Sequence, residues 1–134
     1  MLFLHPRSVS FGSASWDGVV SVAIGRVAAR SVVEFGDNGP HIVMADVPEQ
    51  RVDVTVVQEL AGDDLASSSP GDSGSLRFEA ASNASGAARK RVSMTAVVMS
   101  VKYLASGKGG SQRTVTLVAV ADDGDEDPVT VADL

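Results

Sequence analysis

The chain has no cysteine, so it forms no disulfide, offers no thiolate to a metal and carries no thiol nucleophile, and its redox compartment stays open. Aromatic residues make up only 4% of the 134 positions, so a core has to be built from Val, Ala, Leu, Ile and Met. Val is stiff at χ1 and fits a pleated surface better than a helix, which favours sheet. Basic charge is scarce. With 11 Lys and Arg against 17 Asp and Glu, the formal net charge is -6, and tight phosphate binding needs the opposite balance. Long apolar runs are missing too, and none approaches the roughly 18 residues of a membrane helix. The start, Met1-Leu2-Phe3-Leu4-His5-Pro6-Arg7, is too short and lacks the leading basic region of a signal peptide, so cytoplasmic synthesis is expected.

What is present is short-range alternation. The length suits one domain spanning residues 1–134. After the turn pair Asp17-Gly18, Val20, Val22 and Ile24 alternate with Val19, Ser21 and Ala23, and a second strand is expected over residues 30–35. Residues 36–40 read as a loop and 41–45 as a strand, with a break at Asp46-Val47-Pro48 because proline lacks an N–H. Val52, Val54 and Val56 then mark a half-buried strand. An exposed loop over 61–74 leads to a short strand at 76–80 and a small-residue loop at 81–86. Val92, Met94, Ala96 and Val98 share one face, after which Met99, Val101 and Tyr103 take over the odd positions. Such a phase change implies a β-bulge or a strand that moves between two faces. A flexible hairpin at 106–111, a strand through Val115, Leu117 and Ala119, an acidic turn at 122–128 and a last strand at Val129-Thr130-Val131 complete the chain. Seven or eight such strands predict a mainly β fold, an antiparallel β-sandwich or barrel with at most one short helix.

Four segments invite a chemical reading. Gly71-Asp72-Ser73-Gly74-Ser75 resembles the nucleophile motif of chymotrypsin-like serine proteases, with Ser73 as nucleophile, His41 as base and Asp53, Asp63 or Asp64 as the orienting carboxylate. Only 72 residues precede Ser73, about half of that two-barrel scaffold, so a turn feeding the next strand is expected instead. His5 and His41 lack neighbours at metal-ligand spacing. The acidic run Asp122, Asp123, Gly124, Asp125 and Asp127 has some character of a calcium loop without EF-hand spacing, and reads as a solvated hairpin tip. Gly107-Lys108-Gly109-Gly110-Ser111 has the wrong order for a phosphate loop. No catalytic residue, cofactor site or metal site is therefore expected, and no enzyme activity. Arg89-Lys90-Arg91, the sole basic cluster, either pairs with acidic loops across a subunit contact or opens a solvated strand.

The layout as a whole resembles the tail tube proteins of long-tailed bacteriophages and contractile injection systems. The resemblance rests on Asp46-Val47-Pro48 leading into Arg51-Val52-Asp53-Val54-Thr55-Val56, on the turn and strand at 70–78 and on the long strand at 91–103. The closing segments Arg113-Thr114-Val115-Thr116-Leu117 and Asp127-Pro128-Val129-Thr130-Val131 add to it. It implies a structural virion protein located in the tail after assembly in the host cytoplasm. The subunit is expected to carry one short helix, over 58–65 or 80–88, and to form hexameric rings that stack into a conduit for DNA ejection. DNA passes such a lumen without specific binding, and acidity keeps it from adhering to the wall. By the same analogy the hairpin at 89–121 lines the channel, while the loops at 36–40 and 61–74 and both chain ends meet the next ring. Tape measure, sheath or tail terminator proteins are the implied partners, with no membrane involved. A tail-completion or baseplate hub ring of the same fold is the near alternative. A small protease using Ser73 and His41, or a binding module displaying Trp16 and Tyr103, are the distant ones.

Overall fold

The computed structural model describes residues 2–60, 68–81, 89–106 and 110–133. Among these, all regular structure is strand: β1 (Leu2–Phe11), β2 (Ala14–Ser15), β3 (Val19–Phe35), β4 (Ile42–Leu60), β5 (Ser73–Ala81), β6 (Lys90–Ser106), β7 (Gly110–Val120) and β8 (Thr130–Asp133). They form one antiparallel sheet in the order β2-β1-β3-β4-β7-β6-β5, and a further β1–β5 pairing joins its ends. Six strands thus close into a barrel, which removes open edges along the length where they pair. Strand β8 continues the line of β7, pairing with β6 at residues 90–93, beyond the last β7 rung at Thr95.

The barrel interior follows from alternation. Val52, Val54 and Val56 of β4 face inward with Val115, Leu117 and Ala119 of β7, and Val92, Met94, Ala96 and Val98 of β6 join Leu76, Phe78 and Ala80 of β5. Burial of each large apolar side chain contributes about 1.5–3 kcal/mol. The predicted phase change in β6 is a bulge at Met99. Its register with β7 steps from Val98↔Leu117 to Ser100↔Thr116, so Met99 points out while Val101 returns to the core.

Several expectations are corrected. The chain is one unbroken strand from Val19 to Phe35 and another from Ile42 to Leu60. Pro48 does not break β4, because it falls in a register shift between Arg30↔Glu49 and Val32↔Asp46, a place where no ladder bond is demanded of it. Among the described residues its other side has no strand partner either, since β7 pairs with β4 only from Val52 onward. Val20 does not share the inner face of Val22 and Ile24. It sits at a shift between Val19 and Ser21 and is 50% exposed. Strand β1 was not anticipated. Its pairing shifts register on either side of Arg7, and Ser8 has a φ of 54°, so the alternation that marks a strand is scrambled there. No helix occurs among the described residues; residues 58–60 belong to β4 and 80–81 to β5, and the rest of both expected helix segments lies outside the described residues.

Candidate functional site

The serine motif is a turn. Asp72 accepts the Ser69 N–H on Oδ2 at 2.8 Å, and the Gly71 N–H donates to the Val98 carbonyl at 2.8 Å. The Val98 N–H donates in return to the Asp72 carbonyl at 2.8 Å, and Gly71 supplies a φ of 96° that a side chain would strain. Ser73 then starts β5 opposite Val97. Asp53 lies on β4, across the barrel from β5, and is paired with Arg51 at 2.9 Å. His41 sits beyond the far end of β3, in the connection to β4. The three residues are therefore not brought together. Asp63 and Asp64 lie outside the described residues, as do residues 107–109 of the glycine-rich turn.

The acidic run turns on itself and on the barrel. The Asp125 N–H donates to Asp123 Oδ1 at 3.0 Å, and the Val129 N–H donates to Asp127 Oδ1 at 3.0 Å. Asp127 also takes an ion pair from Arg26 at 2.8 Å. The Val129 N–H, then Arg26, hold its carboxyl below the usual range. Among the described residues no three His, Asp or Glu converge as a metal site would require.

Of the basic cluster, Lys90 pairs with Asp133, Arg89 donates to the Glu79 carbonyl at 3.0 Å, and Arg91 lies 3.7 Å from the Glu79 carboxylate. Arg7 reaches the same Glu79 at 3.7 Å from β1. One more cation is buried. Arg113 is 3% exposed, lies 5.0 Å from the centroid of the Trp16 ring and donates to Gln58 Oε1, while Gln58 Nε2 donates to the Asp17 carbonyl at 2.6 Å. Trp16 is itself buried beside Phe11, at 5.4 Å between ring centroids. It belongs to the buried core and is not displayed at the surface.

The feature that stands out is the far half of the β3–β4 hairpin. Beyond the Arg26↔Val52 rung, among the described residues, the two strands pair only with each other, because β1 meets β3 only at Val22 and Ala23 and β7 meets β4 only from Val52 onward. Nine further residues carry β3 from Arg26 to Phe35, about 30 Å at the usual rise. Eight of the fourteen exposed large apolar side chains of the described residues lie on this arm, including Phe35 at 60% and Val43 at 69%. Val32 and Val33 are neighbours and so face opposite ways, which leaves apolar surface on both sides of a two-stranded ribbon. An isolated ribbon is marginal in water. Sequence reading missed the arm because Pro48 and the shifted registers break the alternation into pieces that look like separate short strands.

A smaller open edge occurs at the end of β6. There β5 pairs only with residues 90–97, so among the described residues the backbone of 99–106 has a strand partner, β7, on one side alone, and Met99, Tyr103 and Leu104 are exposed. Comparison with models of protein families and with curated proteins finds no match.

Proposed function

We propose that this chain is a structural, self-assembling subunit of a tail tube of the long-tailed phage type, forming hexameric rings that stack into a conduit for DNA, without catalytic activity. The observation that carries the reading is the arm. A closed barrel has no need of a 24-residue extension (27–50) with apolar side chains on both faces, and such a patch on a soluble protein marks an interaction surface. The open edge of β6 at 99–106 supports strand pairing between subunits of a ring. The net charge of -6 suits a wall past which DNA slides. A tail-completion or hub ring shares these features and differs in where it sits, and tape measure, sheath or terminator proteins are the expected partners in the virion.

The test is the mass and shape of the purified protein, by size-exclusion chromatography with light scattering and negative-stain microscopy. Six-fold rings or tubes are expected. A monomer at every concentration and salt condition overturns the reading.

A further inference from the structure

The arm and the basic wall stand on opposite sides of one barrel. In the closed order β1-β3-β4-β7-β6-β5, the β3–β4 pair is diametrically across from the β6–β5 pair. The outer face of that far wall carries two cross-strand rows. One runs Arg7, Glu79, Arg91 and the other Ser10, Arg77, Ser93, Thr130, as the registers of β1, β5, β6 and β8 dictate. Arg7 and Arg91 therefore flank a single carboxylate, Glu79, each 3.7 Å from it, while Arg77 in the next row donates to Ser75 Oγ at 3.3 Å.

The arm has the opposite balance. Residues 27–50 hold Glu34, Asp37, Asp46 and Glu49 against Arg30 alone, and Arg30 is matched to Glu49 at 3.7 Å. A chain of net charge -6 has thus gathered an arginine-rich wall on one side and an acidic, apolar arm on the other. We infer that the arm of one copy docks across the Arg7, Arg77 and Arg91 wall of a second copy of this chain. The inference rests on the self-assembly reading and names its contact.

Three properties carry it. The charges are complementary, which steers and orients association. The arm supplies 24 residues, and a standard interface uses about 20–30 from each side. Because donor and acceptor lie on opposite walls, one copy cannot satisfy itself, and each contact leaves a free arm and a free wall. That is a heterologous, head-to-tail contact, which propagates from copy to copy and closes as a ring where its rotation allows. The outer face of β6 also changes from Arg91 through Ser93 and Thr95 to Val97 and the bulged Met99, so the wall offers the apolar arm an apolar end.

The experiment compares the wild type with R77E/R91E and with E34R/D46R, the mean mass of each being read by light scattering after circular dichroism confirms the β signal. Each double variant alone is expected to associate more than about tenfold more weakly, because like charges meet at the contact. An equimolar mixture of the two is expected to recover association, since the swapped signs match again. The absence of cysteine permits a second readout that does not depend on charge. Mixing V32C, on the arm face that carries Glu34 and Asp46, with S93C should give an oxidised cross-linked dimer, and the control pair V32C with T116C, on the β7 wall, should not. Wild-type rings that persist unchanged in R77E/R91E, with no V32C–S93C cross-link, overturn the docking site and leave the self-assembly reading intact. Rings that persist while R77E/R91E lose retention on immobilised duplex DNA assign the wall to nucleic acid and equally overturn it. A wild type that is monomeric throughout overturns both.

Discussion

Arg26 and Asp127 lie 101 positions apart in sequence and meet at 2.8 Å, and their pairing ties the root of the arm to the loop between β7 and β8. The pair stands where β3 leaves the barrel, beside a groove that Pro48, Gln50 and Pro128 also line. Its carboxyl is held low chiefly by the Val129 N–H, with Arg26 adding to it. A carboxyl that is more acidic folded than unfolded adds stability above its unfolded pKa, and that stability is lost as pH falls through the folded value. Unfolding midpoints followed from pH 7 downward should therefore fall below the ordinary carboxylate range, and D127N should flatten that part of the profile. Both side chains are half exposed, so the whole effect at pH 7 should stay under about 1 kcal/mol.

Arg113 is expected to matter more, because it is buried. R113A leaves Gln58 without its donor and Trp16 without the cation over its ring, at a cost of about 2–4 kcal/mol. The double variant R113M/Q58M removes both polar partners together and should cost less than the sum of the two single changes. Urea unfolding followed by Trp16 fluorescence, the only tryptophan signal in the chain, measures both.

Gly18 has a φ of 73°, and a Cβ placed there would stand 2.6 Å from the Glu59 carbonyl oxygen. That oxygen is backbone in a paired strand and cannot yield cheaply. G18A should lower stability by about 1–3 kcal/mol, read as a lower thermal midpoint, while an alanine at Gly12, which has open space around it but a φ of 63°, should cost less.

The arm should separate folding from assembly. Replacing residues 27–50 by a tight Asn-Gly turn leaves all six barrel strands and their closing pair in place, so the variant is expected to fold cooperatively and to remain monomeric. F78A, by contrast, empties a site that is 1% exposed and should cost about 3–5 kcal/mol of barrel stability. An arm-less chain that still forms rings in the light-scattering experiment would move the assembly surface to the open end of β6.

Much of the barrel was legible beforehand. Val52, Val54 and Val56, and Val92 through Val98, declare their inner face by strict alternation, and the doubled Val97-Val98 marks a phase change, a bulge or a change of face, which the β6–β7 register resolves as a bulge at Met99. The turn around Ser73 was legible because Gly and Asp are the residues such a turn needs. Strand β1 was not legible, since its bulges at Arg7 and Ser8 disrupt the period. The arm was not either, since it buries nothing within its own chain and local pattern reports burial.

Composition and alternation by themselves determined a mainly β chain without disulfides, with a Val-rich core and a net acidic charge, because side-chain shape and the two-residue period act locally. Only the tertiary structure decided that β1 and β5 join to close the barrel, that Arg113 is drawn inside against Trp16, and that an acidic arm and an arginine wall end on opposite sides. Those facts depend on pairings between residues tens of positions apart. Such pairings are chosen by the burial of the whole sheet at once, and no local run of residues carries that information.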